Sequence, residues 1–189
     1  MSRYDRQIVL PEVGADGQAR LAAAHALVVG AGGLGVPVLQ YLAGAGIGRL
    51  TVVDPDIVER KNLHRQTLYG ERFIGRAKAE AAAAVLADLN PEVRVAPVVA
   101  RLDPANAPAL VAEADVVLDC ADSFAASYTL SDACRDAGRP FVTASALGLG
   151  GYAGGFCGGA PSLRAVFPDL PARAATCATA GIQIGKSVV

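Results

Sequence analysis

The feature that most constrains this chain is a glycine-rich turn between an apolar strand and a helix. Gly30, Gly32 and Gly35 have the spacing G-x-G-x-x-G, with the predicted strand Ala26–Val29 before them and the helical run Leu34–Ala43 after them. The first glycine permits a tight turn, the second lets the backbone approach a phosphate, and the third lets the helix pack closely on the strand. Phosphate oxygens can then bind at the positive end of the helix. The turn therefore predicts a nucleotide site, with an ordinary glycine-rich α/β turn as the alternative.

A carboxylate and a basic loop follow the next predicted strand, Leu50–Val53. Asp54 comes 19 residues after Gly35, the usual position of a carboxylate that binds the hydroxyls of a ribose. The cations after it are Arg60, Lys61, His64, Arg65, Arg72, Arg76 and Lys78. A helix end already covers the diphosphate of a dinucleotide, whereas the triphosphate of ATP needs further cations or a metal. The loop therefore favours ATP over NAD, although a solvated basic face is the structural alternative for most of these side chains.

Predicted strands and helices alternate along the rest of the chain. The strands are Val93–Val99, Asp115–Asp119 and Pro140–Ala144, and the helices are Ala77–Asn90, Asn106–Glu113 and Phe124–Ala137. This alternation predicts a Rossmann-like, doubly wound α/β fold with a mostly parallel sheet and helices on both faces. We expect a single domain over residues 1–189. Its ligand crevice should lie at the carboxyl ends of the strands, which carry Gly30–Gly35, Asp54 and Asp119–Asp122.

Composition argues against several other classes of protein. The formal net charge of −1 gives no attraction to nucleic acid or to an anionic membrane. The uncharged run Ala26–Gly48 is long enough for a membrane helix, but its glycines and Pro37 divide it into strand, turn and helix. The N-terminus lacks the apolar segment of a secretion signal. The cysteines form no C-x-x-C pair, which indicates reduced thiols, and we expect a cytoplasmic protein.

Seven short motifs occur in a fixed order along the chain. They are Arg3–Pro11, Gly17-Gln18, the Gly30–Gly35 turn, Asn62–Gln66, Gly75–Lys78, Asn90-Pro91 and Asp119–Asp122. Together they resemble the ThiF/MoeB/HesA family, the bacterial relatives of ubiquitin-activating enzymes. The resemblance implies an ATP-dependent adenylyltransferase, working as a homodimer with Mg²⁺. Its implied partner is a ubiquitin-like sulfur-carrier protein, whose C-terminal Gly-Gly carboxylate it would activate for a pathway such as thiamin or molybdopterin synthesis.

The resemblance also implies roles for individual side chains. Arg65 and Lys78 would contact the phosphates, and Asp122 would hold Mg²⁺. Arg6 would reach the γ-phosphate of ATP in the neighbouring subunit. Cys177 matches a cysteine that in some members bonds to the activated carrier as a thioester or acyl-disulfide. The nucleotide-binding set expected from the turn, the acids and the family motifs is Gly30, Gly32, Gly33, Gly35, Asp54, Asp56, Asn62, Arg65, Gln66, Lys78 and Asp122.

Each of these roles has a structural alternative. Asp122 precedes a predicted helix and could serve only as its N-cap. Lys78 lies on a helix whose other face is alanine, which taken alone predicts an exposed side chain. Arg6 taken alone is a surface arginine, and Cys177 could be a buried, inert thiol. The family spacing favours the functional interpretation of Lys78 and Arg6.

The chain departs from the family pattern at several positions. Many relatives hold a structural zinc with two C-x-x-C pairs, but Ser162 and Ala165 stand where the first pair would be, so no zinc site is expected. Ser123 replaces the usual asparagine after the metal-binding aspartate, and Ser127 replaces a common arginine. The sequence stops at Val189, before the segment that completes the sheet in the family. We therefore expect either a shortened member or a fragment, with any C-terminal antiparallel extension cut short.

Seven glycines occur in the twelve residues Gly148–Gly159. The family has an antiparallel strand here that begins to cover the carrier tail, and a mobile loop is the alternative. Two other functions also stay open. A catalytically silent partner subunit would tolerate the departures, and a NAD-dependent dehydrogenase would share Gly30–Gly35 and Asp54. A dehydrogenase would not explain the presence of Arg65 or Asp122.

Overall fold

The computed structural model describes residues 2–168. Its strands are β1 (His25–Val29), β2 (Arg49–Val53), β3 (Arg94–Val98), β4 (Val116–Asp119), β5 (Phe141–Leu147) and β6 (Gly150–Phe156). Its α-helices are α1 (Asp5–Ile8), α2 (Gly14–Ala23), α3 (Gly35–Ala45), α4 (Lys78–Leu89), α5 (Ala107–Ala112), α6 (Phe124–Ala137) and α7 (Leu163–Val166). Two short 3₁₀ turns, Arg60–Asn62 and Glu71–Phe73, lie in the basic loop between β2 and α4.

The six strands form one sheet in the order β3-β2-β1-β4-β5-β6. The pairings from β3 to β5 are parallel, and β6 is antiparallel to β5. The strand order reverses at β1, between β2 on one side and β4 on the other. The predicted Rossmann-like fold with a mostly parallel sheet is therefore confirmed, and the predicted crevice falls at the carboxyl ends of β1 and β4.

The predicted elements from the first strand onward agree with the structure to within a few residues. Gly148–Gly159 contains the antiparallel strand β6 and not a loop alone. Helices α1 and α2 were not predicted from the sequence, because they are short or contain glycine. In α2, Gly14 and Gly17 lower the intrinsic helix propensity, so that packing against the rest of the chain must stabilise the helix.

The two faces of the sheet carry separate hydrophobic clusters. Ala26 and Val28 of β1 face the cluster that includes α3 and α4, whereas Leu27 and Val29 face the cluster that includes α5 and α6. This alternation is the period of a strand, and burial on both faces explains why β1 is apolar throughout. The helices that cover both faces hold the carboxyl ends of the strands rigidly.

Polar side chains fasten the N-terminal helices to the end of α3. Asn90 is fully buried and donates from Nδ2 to the hydroxyl oxygen of Tyr4 at 2.8 Å and to the carbonyl of Ala43 at 2.7 Å. Gln7 and Gln18 both donate to the carbonyl of Ala45, at 3.1 and 3.0 Å. These contacts give a structural role to four residues of the sequence motifs, Tyr4, Gln7, Gln18 and Asn90.

Helix α7 occupies the segment where the zinc-binding cysteines of relatives would lie. Leu163 is fully buried, and its N–H donates to the hydroxyl of Ser131 at 3.2 Å. Arg164 pairs with Asp132 at 2.8 Å and lies over the ring of Tyr128 at 4.4 Å. Residues 2–168 contain no group of three or more metal-ligating side chains, and none of their helices is both long and apolar enough to cross a membrane. The expected lack of zinc stays a prediction.

Replacing Asn90 with alanine should destabilise the fold strongly. The change removes a buried donor from two acceptors and leaves both without this partner, so we expect a loss of about 2–4 kcal/mol of unfolding free energy. Asn106 also makes two side-chain hydrogen bonds, but near the surface. Asn106→Ala is thus the matched control and should cost about 1 kcal/mol or less. Urea denaturation of both variants measures the difference, and equal losses would contradict the anchoring role of Asn90.

Candidate nucleotide-binding site

The glycine turn passes through a space that admits no side chain at two of its positions. Gly30 has a φ of +95°, its N–H donates to the carbonyl of Val53 at 2.8 Å, and a Cβ there would overlap the carbonyl oxygen of Cys120. A Cβ at Gly35 would overlap the carbonyl oxygen of Gly30. The predicted tight turn at Gly30 and close approach at Gly35 are both confirmed.

The protein's own atoms leave space beside the middle of the turn, at Gly32 and Gly33. A Cβ at Gly32 would meet only Nε2 of Gln66, at 3.6 Å, and a Cβ at Gly33 would meet the side chain of Arg65 at 3.5 Å, an ordinary contact. Helix α3 then begins without a side-chain cap. The N–H of Val36 donates to the carbonyl of Gly32 at 2.9 Å, and Pro37 has no N–H. The N–H groups of residues 32–35 have no acceptor within residues 2–168, so they are available to an anion.

Both carboxylate oxygens of Asp54 accept hydrogen bonds from backbone N–H groups. Oδ2 accepts the N–H of Ala31 at 2.7 Å, and Oδ1 accepts the N–H of Asp56 at 2.8 Å. Asp54 is only 5% exposed, and burial raises its pKa. It therefore holds the glycine turn against β2. Ribose binding by Asp54 stays a prediction, but the neighbouring Asp56, whose side chain is 59% exposed, is more accessible.

Lys78 is buried, contrary to the alternative of a solvent-exposed side chain. Its residue is 5% exposed, and its Nζ lies 3.0 Å from Oδ2 of Asp56. The N–H of Lys78 also donates to the carbonyl of Asp56 at 2.8 Å. A buried ammonium requires a charged or polar partner, and Asp56 supplies it. The ion pair places one cation and one acid beside the end of β2.

Arg65 lies over the turn, next to Gly33. Its Nη2 donates to Oδ1 of Asn62 at 2.9 Å, which orients the guanidinium. Gln66 is 3% exposed, and its Oε1 has no hydrogen-bond partner within the described residues. Its amide lies beside Gly32. The structure thus brings Asn62, Arg65 and Gln66 to the turn as the nucleotide prediction requires.

Asp122 is not the N-cap of the helix that follows it. The cap of α6 is Ser123, whose hydroxyl accepts the N–H of Ala126 at 3.3 Å. Asp122 is exposed, and its carboxylate accepts no hydrogen bond within residues 2–168. The N-cap alternative for Asp122 is therefore wrong. Ser127, at the family's arginine position, is buried and bonds to the carbonyl of Ser123 at 3.3 Å.

One predicted site residue, Arg6, does not lie at this crevice. Arg6 is exposed on α1, next to Gln7, which bonds to the last residue of α3. The turn precedes the other end of that 11-residue helix, about 16 Å away along its axis. Arg6 therefore lies at the opposite end of α3 from the turn of its own chain. Cys177 lies outside the described residues.

Tyr69 belongs to the site but was missed from the sequence. It is 4% exposed, and its hydroxyl donates to the carbonyl of Ala31 in the glycine turn at 2.8 Å. Burial, with the nearby charge of Asp54, raises its pKa. The sequence signal, one tyrosine in a basic loop, was too weak to single it out. Cys120 is a core thiol, and burial raises its pKa to about 12.

Comparisons with known proteins fit this geometry. A model of the ThiF family matches residues 4–186. The adenylyltransferase and sulfurtransferase MOCS3 of Bos taurus is 53% identical over 183 residues, which cover 95% of this chain and 40% of the relative. The SAMP-activating enzyme E1 of Haloferax volcanii is 45% identical over 184 residues, covering 96% of this chain and 68% of the relative. This chain thus spans less than half the length of MOCS3.

A similar solved structure comes from E. coli. It is the tRNA N6-threonylcarbamoyladenosine dehydratase TcdA in complex with ATP, with a TM-score of 0.73 and 34% sequence identity. The similarity covers 78% of this chain and 60% of that chain. A relative with this fold therefore binds ATP.

Alanine substitutions should separate the two kinds of glycine in the turn. Gly35→Ala must push α3 away from Gly30 and should cost about 2–4 kcal/mol of unfolding free energy. The new methyl group of Gly32→Ala makes only an ordinary contact with Gln66, and the φ of Gly32 is not positive, so its stability should stay within about 0.5 kcal/mol of wild type. Chemical denaturation of the two variants checks this. A loss at Gly32 as large as that at Gly35 would show that the turn is sterically closed throughout.

Proposed function

The chain belongs to the ThiF family, and we propose that it is an ATP-dependent adenylyltransferase for the C-terminal Gly-Gly carboxylate of a ubiquitin-like sulfur-carrier protein. The names of the relatives, an adenylyltransferase and an activating enzyme, support this reaction. The single observation that carries it is the pair of cations at the turn: the buried Lys78 and the oriented Arg65 beside a glycine loop open to phosphate. Their charge suits a triphosphate better than a diphosphate.

The chemistry needs positioning and charge more than acid–base catalysis. A peptide carboxylate is already ionised at neutral pH, so it can attack the α-phosphorus of ATP without a general base. A carboxylate oxygen forms a new bond to the α-phosphorus as the bond from that phosphorus to pyrophosphate breaks. The site must hold two negative groups in line and neutralise the charge on the departing pyrophosphate.

Lys78 and Arg65 are the side chains proposed to carry that neutralisation. Lys78 is held by Asp56 and cannot swing into solvent, so its charge is fixed in place. Arg65 is oriented by Asn62. Asp56 keeps an exposed carboxylate edge, and we propose that this edge, more than the buried Asp54, meets the ribose. Gly32 and Gly33 would admit the phosphates, and Gln66 could donate to them from its buried amide.

Asp122 is the residue proposed to hold Mg²⁺. Mg²⁺ in nucleotide sites usually takes one or two carboxylates together with phosphate oxygens and water. One exposed carboxylate without hydrogen bonds from the described residues fits that requirement, and no larger acidic cluster is needed. When bound, the ion would draw the phosphate charges together and stabilise the leaving pyrophosphate.

Arg6 is proposed to act in the site of a second copy of the chain. It is exposed at the far end of α3 from its own glycine turn, so a contact with γ-phosphate requires a homodimer. Cys177 is proposed to bond covalently to the activated carrier. We also propose a cytoplasmic location, consistent with the lack of paired cysteines in the sequence.

Nucleotide choice can be tested by thermal stability. We expect ATP with Mg²⁺ to protect the chain against heat and NAD to have no comparable effect, because the basic side chains suit a triphosphate. Saturation at a hundred times Kd should add about 2.7 kcal/mol of unfolding free energy. Gly32→Ala should lose much of this protection while keeping its own stability. Equal or greater protection by NAD would contradict the proposed reaction.

Carrier-dependent pyrophosphate exchange tests the reaction itself. Asp122→Asn should reduce exchange about 100-fold, or about 2.7 kcal/mol of transition-state stabilisation. Its stability should not change, because the cap of α6 is Ser123. Asp88, exposed on α4, offers the control Asp88→Asn, which should leave exchange intact. An active Asp122→Asn protein would remove the metal role, and no exchange by wild type with any carrier would favour a silent subunit.

Mixing two inactive variants tests the role of Arg6 in the same assay. In a mixed dimer of Arg6→Ala and Asp122→Asn chains, one of the two sites keeps both residues. Random pairing should therefore restore about a quarter of wild-type exchange. Mixtures as inactive as either parent would show that Arg6 does not act across subunits.

A further inference from the structure

A second buried aspartate lies at the crevice, at the end of β4. Asp119 is 1% exposed, and it faces Thr143 across the β4–β5 pairing. The hydroxyl of Thr143 donates to Oδ2 of Asp119 at 2.8 Å, and the N–H of Ala121 donates to Oδ1 at 3.1 Å. Burial raises the pKa of Asp119, while the hydrogen bonds from Thr143 and Ala121 oppose the rise. None of the roles proposed above uses this carboxylate.

Asp119 repeats an arrangement found at the end of β2. There the buried Asp54 accepts the N–H of the residue two positions later, and the exposed Asp56 follows. At β4 the buried Asp119 again accepts the N–H two positions later, and the exposed Asp122 follows. The two strands flank β1. At β2 the buried acid holds the N–H of the exposed acid itself, whereas at β4 it holds the N–H of the residue directly before the exposed acid.

The position of Asp122 depends on its neighbours, because its own side chain has no hydrogen bond within the described residues. On one side, the N–H of Ala121 is held by Asp119. On the other side, Ser123 caps α6. Between these two anchors the backbone of Asp122 has little freedom. Removing the first anchor would free the turn while leaving β4 and α6 in place.

We propose that Asp119, held by Thr143, is the positioning residue for Asp122 and sets the direction of its carboxylate toward the Mg²⁺ of bound nucleotide. The proposal rests on the metal role given above to Asp122. Asp119 and Thr143 are each only 1% exposed, so we expect neither of them to touch the nucleotide or the metal. Their effect should appear only in binding that depends on Mg²⁺.

The test measures the Kd of ATP by calorimetry, once with Mg²⁺ and once with EDTA. Thr143→Val removes the hydroxyl donor and keeps the shape of the side chain. We expect it to weaken ATP binding about tenfold with Mg²⁺, the lower end of the usual loss for residues that support a metal ligand, because it acts on Asp122 only through Asp119. In EDTA, binding should change less than about twofold. Equal weakening in both conditions would overturn the proposal.

Thr51 provides the matched control. It is also a buried strand threonine, and its hydroxyl bonds to one side chain, the ring Nε2 of His25 at 2.8 Å. Thr51→Val should lose similar stability but leave both Kd values unchanged. If it changes Mg²⁺-dependent binding as much as Thr143→Val does, the effect is general loosening of the sheet and the proposal fails.

A double-mutant cycle with Asp122 gives the sharpest result. If Asp119 acts through Asp122, adding Thr143→Val to Asp122→Asn should have no further effect on ATP binding. A full effect in that background would overturn the proposal. Asp119→Asn should bind MgATP better than Asp119→Ala, because its amide oxygen still accepts the N–H of Ala121, and equal losses would contradict the hydrogen-bond argument.

These measurements need no carrier protein. If Thr143→Val weakens Mg²⁺-dependent ATP binding through Asp122 while wild type shows no pyrophosphate exchange, the result would support the positioning role and count against the proposed reaction. If wild type shows exchange but Thr143→Val has no such effect, the reaction is supported and the positioning role is overturned.

Discussion

The close approach of three backbone segments at Gly30, Gly35 and Cys120 is the constraint on which the rest of the site depends. Side chains at the two glycines would overlap neighbouring carbonyl groups. Helix α3 can therefore approach β1 and β4 only because glycine has no side chain. That approach brings the first turn of α3 to the carboxyl ends of the central strands. An anion that binds the helix end must therefore lie beside the acids that follow β2 and β4.

Burial fixes the positions of charged side chains at this crevice. Lys78 is nearly inaccessible, and its ion pair with Asp56 joins the start of α4 to the end of β2. Asp54 and Tyr69 hold the glycine turn from the same side. A cation fixed in this way has little freedom to lose when a phosphate binds, which reduces the entropic cost of binding. A flexible surface lysine would not have this advantage.

The sequence was sufficient to predict the parallel sheet and the glycine turn, because buried strands and turn glycines are specified locally. It could not decide between Asp122 and Ser123 as the cap of α6, since both types cap helices and the two positions are adjacent. It also could not show that Lys78 is buried, because its partner Asp56 lies 22 residues earlier. Ribose binding by Asp54 stays a prediction, and the sequence could not show the contacts of Asp54 with Ala31 and Asp56, because they depend on the folded turn.

The N-terminal motif combines anchoring residues with one side chain that the fold does not explain. Arg3 donates to the carbonyl of Leu89 at 2.8 Å, Tyr4 accepts from Asn90, and Gln7 bonds to Gln18 and Ala45. These contacts hold a helix of only 4 residues, which would not be stable alone. Arg6 makes no hydrogen bond or ion pair with the part of the chain described here, yet it is carried on this firmly anchored turn. The anchored backbone fits the proposed contact of Arg6 with a phosphate in a neighbouring subunit, because a positioned side chain has less freedom to lose on binding.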